Sequence, residues 1–107
     1  MRIMKFGGTS VGRPERMHQV KSLVLEDEGK KIVVLSALSG TTNALVSIGE
    51  AMSNADRDLA KERIDVLREH YLQFYPELLS TEPARKEALG IIREHFEFLN
   101  IILKISF

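Results

Sequence analysis

Arg2-Ile3-Met4-Lys5-Phe6-Gly7-Gly8-Thr9-Ser10-Val11 opens the chain, and Ile32-Val33-Val34-Leu35-Ser36-Ala37 repeats its logic further on. In the first stretch the apolar residues Ile3, Met4 and Phe6 stop at a pair of glycines, the pattern of a short strand feeding a tight turn. In the second, a β-branched run without polar alternation reads as a strand buried on both faces. Between them Pro14 suits the first turn of a helix. Met17, Val20 and Val24 recur at spacings of three and four on one face, which predicts a helix over 14–25. Glu26-Asp27-Glu28-Gly29 closes that helix. Strand, helix and strand make a βαβ unit whose strands run parallel and end on one edge of a sheet.

Beyond this unit the period is helical throughout. Ser39-Gly40-Thr41-Thr42-Asn43 supplies turn and capping residues ahead of Leu45, Ile48 and Met52. Asn54-Ala55-Asp56 breaks the pattern. Leu59, Ile64, Leu67, Tyr71, Phe74 and Leu78 then mark the apolar face of a long helix expected to close near Pro76. Ser80-Thr81-Glu82-Pro83 starts a last helix, with Ala88, Ile92, His95 or Phe96, Leu99 and Leu103 facing inward. Tyr71, Phe74, Tyr75, Phe96 and Phe98 are expected in a helix-to-helix core. The class is α/β, a parallel βαβ unit at the N-terminus followed by a mostly helical segment. A length of 107 residues predicts one domain and one core. Ile101 to Phe107 ends apolar and without a cap, and two parallel strands make a small sheet. The expectation is further sequence beyond Phe107.

Lys and Arg total 15 and Asp and Glu total 15, so there is no net charge to draw the chain to a polyanion, and nucleic acid is not an expected partner. There is no cysteine, which removes disulfides, thiolate nucleophiles and zinc–thiolate sites. No apolar run approaches the roughly 20 residues needed to cross a bilayer, and the start lacks a signal-peptide segment, so a cytoplasmic protein without membrane contact is expected. His18, His70 and His95 show no metal-ligand spacing and read as surface or structural residues. The mixed charges of Glu62, Asp65, Arg68 and Glu69 read as a solvated helix face.

The chemistry concentrates where the two strands end, which is where α/β folds bind ligands. Gly7 and Gly8 let bare backbone approach a phosphate, neighbouring amides can converge on one anion, and the next helix offers its positive end. Lys5 beside them supplies a compact positive charge. Ser36, Ser39, Thr41, Thr42 and Asn43 put hydroxyls and free helix amides at the second strand end, suited to a carboxylate or phosphate. A plain glycine turn with a surface lysine, and ordinary capping by Thr41, Thr42 and Asn43, account for the same residues. The loop matches neither the Walker pattern nor the dinucleotide Gly-x-Gly-x-x-Gly.

Lys5-Phe6-Gly7-Gly8-Thr9-Ser10-Val11, followed by Val33-Val34-Leu35-Ser36-Ala37 and Gly40-x-Thr42-Asn43, resembles the aspartokinases. Acetylglutamate, glutamate and uridylate kinases share a lysine–glycine start but usually lack Gly-Gly-Thr-Ser-Val. The resemblance is strong over the first half of the chain. The second half is similar only in character to the variable helical insertion of that family. What the resemblance implies is a partial amino-acid-kinase fold, with residues 1–107 as the incomplete N-terminal portion of a catalytic domain.

In the complete enzyme it implies transfer of the γ-phosphoryl group of ATP to the side-chain carboxylate of L-aspartate, assisted by Mg²⁺, giving 4-phospho-L-aspartate for lysine, threonine and methionine synthesis. Lys5 is implied as the catalytic phosphate contact, with Gly7, Gly8, Thr9 and Ser10 in the ATP phosphate loop and Ser36 and Thr42 on aspartate. No metal ligand is implied within the chain. The family's downstream acidic and arginine residues, nucleotide pocket and regulatory modules lie outside it, so the isolated chain is expected to be inactive. A homo-oligomer is expected. The alternative from another class is a non-catalytic α/β binding or assembly module.

Overall fold

The computed structural model describes residues 1–106, which form two compact units, Met1–Gly40 and a helical unit from Thr41 onward. In the first unit, strand β1 (Arg2–Phe6) is followed by helix α1 (Pro14–Glu26) and strand β2 (Lys31–Leu35). The two strands pair in parallel, with Lys5 opposite Val34 and Phe6 opposite Leu35. This is the βαβ unit expected from the sequence.

Pro14 occupies the first turn of α1, where its missing N–H costs nothing. The helix end is tied to the sheet by charge: Arg2 pairs with Asp27 at 3.3 Å, and Lys31 Nζ donates to the carbonyls of Val24 and Asp27. Val11 and Val20 are the buried apolar residues of this unit. The expectation that β2 is buried on both faces is corrected. Ile32, Val33, Val34 and Leu35 are 46, 36, 46 and 55% exposed. The physical reason is that this sheet has two strands and its unit one helix, too little material to cover both faces of a strand.

The second unit contains α2 (Thr41–Ser53), α3 (Arg57–Leu78) and α4 (Glu82–Ile105), with α3 packed against both neighbours. Ile48, Ala51, Ala60, Ile64, Leu67, Phe96 and Leu103 form its core, and Tyr71 and Phe96 meet with ring centres 5.8 Å apart. Two polar ties hold α2 to α3: the Thr41 and Tyr71 hydroxyls lie 2.6 Å apart, and Arg63 Nη1 donates to the Ser47 carbonyl at 2.7 Å.

α3 ends at Leu78, two residues past Pro76 and so close to where the sequence places its end. A proline near a helix C-terminus removes one donor only, and the carbonyls left at that end are taken by Arg85, whose Nε and Nη2 reach Leu79 and Pro76. Thr81 caps α4 through its side chain, as the sequence predicts. Of the alternatives His95 and Phe96, Phe96 is the buried one. Phe98, expected in the core, is 63% exposed, because two positions carry it about 200° round the helix from Phe96.

The α2–α3 junction shows how the break at residues 54–56 works. Asp56 N–H reaches the Ala51 carbonyl and Ala55 N–H the Met52 carbonyl, the bond pair of a Schellman turn. Ala55 takes the left-handed conformation this turn needs, with φ of 55°. Asp56 then caps α3 by accepting from Leu59 N–H at 3.1 Å. A Cβ in that region is strained, so Ala55→Gly is expected to stabilise the helical unit by about 0.5–1 kcal/mol. A higher urea midpoint by circular dichroism is the expected reading. A midpoint at or below that of the parent would contradict the strain at this turn.

Candidate functional site

The register fixes where the chemistry-bearing residues go. Because Phe6 stands opposite Leu35 in parallel strands, the segments after both leave the sheet at one edge. Ser36 N–H donates to the Phe6 carbonyl at 3.1 Å, which extends the pairing one residue beyond the strands. Lys5, Gly7, Gly8, Thr9, Ser10 and Ser36 therefore gather at this edge of the first unit. Lys5 and Ser36 are exposed. Thr42 belongs to the helical unit, where it is exposed in the first turn of α2.

The glycine loop is held by three devices. Ser10 N–H closes a turn onto the Gly7 carbonyl at 3.1 Å. Arg16, in the first turn of α1, donates to the Thr9 carbonyl at 3.0 Å. Val11, 1% exposed, anchors the segment into the unit. No side chain caps α1: Arg13 at the N-cap is extended and makes no capping bond. The first-turn amides therefore lack the side-chain acceptor that usually satisfies them.

The glycines of this region divide by what they do. Gly7 and Gly8 do not adopt a positive φ, and a Cβ on either would meet nothing within 4 Å. Neither backbone conformation nor packing within the chain requires glycine at these positions. Gly12 differs. A Cβ there would lie 3.1 Å from Ser39 Cβ and 3.3 Å from the Gly8 carbonyl oxygen, so its lack of a side chain lets the two strand-end loops touch. Gly40 has φ of 86° directly before α2 and is needed for that turn.

Gly12 and Arg16 are the residues that reading the sequence did not single out. A third glycine soon after the pair was the available signal for Gly12. Arg16 carried none, since an arginine in the first turn of a helix is ordinary until its partner is known. Thr41, grouped with Thr42 on sequence, is engaged with Tyr71.

No protein-family model matches the chain. Curated relatives do. It is 38% identical over 108 aligned positions, 95% of its own length, to aspartokinase 3, chloroplastic, of Arabidopsis thaliana. It is 46% identical over 68 positions to aspartate kinase of Pseudomonas fluorescens, covering 61% of this chain. It is 36% identical over 90 positions, 78% of this chain, to lysine-sensitive aspartokinase 3 of Escherichia coli. The chain spans 18, 16 and 19% of the lengths of these proteins. A two-stranded parallel unit with a Lys-Phe-Gly-Gly-Thr-Ser loop at its edge, and shared sequence along nearly its full length, make the chain an aspartokinase homologue that corresponds to a part of those proteins.

Proposed function

We propose that this chain is the phosphate-binding part of an aspartate kinase, an enzyme that transfers the γ-phosphoryl group of ATP to the side-chain carboxylate of L-aspartate. The observation that carries the reading is the pair Gly7 and Gly8, whose missing side chains serve no purpose inside the fold and leave open space at the strand-end edge. Backbone left bare where the chain itself does not need it suits close approach by a ligand. In this reading the amides of Gly7 and Gly8 donate to the terminal phosphates, Thr9 and Ser10 complete the same phosphate loop, Lys5 neutralises the phosphate charge, and Ser36 and Thr42 hold aspartate.

Phosphoryl transfer asks mainly for in-line positioning and charge neutralisation, with no covalent nucleophile. Lysine and backbone amides supply both. Mg²⁺ is the expected companion of the nucleotide. Among the described residues no three His, Asp or Glu side chains converge on a point that could hold a metal. No step is assigned to a resident metal. Binding of Mg²⁺ mainly by nucleotide phosphates is ordinary for this ion.

The test follows from the open space. Titrating the chain with Mg·ATP is expected to shift the amide resonances of residues 5 and 7–10, with weak affinity because much of a kinase lies elsewhere. Gly8→Val places a side chain where the ligand would come, and its Cβ has no atom of the fold within 4 Å. It is expected to leave the melting curve unchanged and to remove those shifts. Shifts that persist in Gly8→Val, or that fall only elsewhere, would overturn the reading. The chain alone is expected to release no ADP in response to aspartate.

A further inference from the structure

The first turn of α2 holds two hydroxyls in different settings. Thr41 is half-buried, and its hydroxyl lies 2.6 Å from that of Tyr71, 30 residues further along the chain on α3. Thr42, about 100° round the helix, is exposed. The division follows helical phase. Thr41, Ala44, Ile48 and Ala51 recur at spacings of three and four, and Ala44, Ile48 and Ala51 pack into the core of the helical unit. The side of α2 that meets α3 therefore ends, at its first residue, in the bond to Tyr71.

Little else fixes this end of the helix. Gly40, the residue before it, has no side chain with which to cap the first-turn amides. Among the described residues no other side-chain hydrogen bond reaches residues 41–44. Tyr71 is held far more firmly. Its ring packs against the core and lies with its centre 5.8 Å from that of Phe96. A tyrosine side chain turns about only two bonds, so a ring clamped in this way presents its hydroxyl at a fixed point. We propose that Tyr71 is a positioning residue for the acceptor substrate: by holding Thr41 it sets the place and direction of the first turn of α2, and with it the Thr42 hydroxyl offered to aspartate. The proposal rests on the assignment of Thr42 to aspartate, and Tyr71 acts through Thr41, not on the substrate.

A first turn that is ordered in advance spares the substrate the cost of ordering it on binding. The loss of that order falls on aspartate alone, because Thr42 is assigned to aspartate and the nucleotide is assigned to the glycine loop. In a complete aspartokinase that carries this segment, Tyr71→Phe is expected to raise the KM for aspartate about threefold to tenfold, the range of one intramolecular hydrogen bond, with the KM for ATP unchanged. A role in stability alone would lower the melting temperature and the active fraction, and would leave both KM values where they are.

Thr41→Val removes the other hydroxyl and is expected to raise the KM for aspartate by the same factor, whereas Thr41→Ser keeps the hydroxyl and is expected to restore it. Tyr71→Phe combined with Thr41→Val is expected to be no worse than either alone, since all three lose one and the same bond. Thr42→Val tests the underlying assignment separately and is expected to raise the KM for aspartate at least as far. If Thr42→Val raises it and Tyr71→Phe does not, or if Tyr71→Phe and Thr41→Val act additively, the proposal is overturned and the aspartate reading stands. A rise in both KM values in Tyr71→Phe would also overturn it, as general loosening of the protein. If Thr42→Val leaves the KM for aspartate unchanged, the assignment of Thr42 falls and the proposal falls with it.

Discussion

Replacing Lys5 with Met in a complete aspartokinase that carries this segment is expected to lower turnover by about 10²-fold or more while the fold is retained. The two halves of that expectation have separate causes. Lys5 is exposed on β1, one residue before the paired end of the strand, so its ammonium group contributes little to packing. The same position puts a full positive charge beside the loop at residues 7–10, where the proposed phosphates sit. Charge that is already in place when negative charge shifts in the transition state needs no reorganisation, and mutating such preorganised groups costs 10²–10³ in rate. Methionine keeps most of the length and an apolar stem while removing the charged ammonium group. Steady-state kinetics with varied ATP and aspartate would separate a loss in kcat from a loss in KM. Turnover within a few-fold of the parent would take Lys5 out of the chemistry, and the proposed role of the loop would lose its main electrostatic support.

The largest expected effect on stability lies in the other unit. Ile64 is 0% exposed in the middle of α3, among Ile48, Ala60, Leu67 and Phe96. Ile64→Ala removes three carbons from a site walled by helices on both sides, which cannot collapse freely, so a cost of about 2–5 kcal/mol is expected. A helical unit of this size is stable by only about 3–10 kcal/mol, so the substitution is expected to leave it partly unfolded at room temperature. Val66→Ala, two positions along the same helix at 66% exposure, is the matched control and should cost within about 0.5 kcal/mol. Urea denaturation followed by circular dichroism at 222 nm reads both. Equal midpoints for the two variants would mean that the core around Ile64 is not the cooperative centre of the unit.

Much of this molecule could be read residue by residue. The glycine pair after Phe6, Pro14 at the head of α1, Thr81 and Pro83 at the head of α4 and the break at residues 54–56 are local signals, because each sets the backbone over a few residues. Their elements appear within a residue or two of the expected bounds. The candidate site was legible for the same reason: a parallel βαβ pairing obliges residues 7–10 and 36 to leave the sheet on one edge. Two readings needed correction. An apolar run such as Ile32 to Leu35 states that burial would be favourable, and it cannot state how much neighbouring chain is present to provide it. Phe98 was assigned to the core by its chemistry, whereas helical phase sends it to the opposite side of α4 from Phe96 and Leu103.

The sequence by itself determined the order of the elements, the parallel unit and its glycine edge, and the kinship with aspartokinases, since all of these depend on near neighbours or on shared residues. Tertiary structure alone decided that Gly12 is the glycine the loops need for contact while Gly7 and Gly8 stand free, that Arg16 holds the loop, and that Thr41 is spent on Tyr71. Each of these is a relation between residues distant in the chain or a count of what surrounds a side chain. Such relations are set by how helices and strands pack, not by the identity of any residue alone.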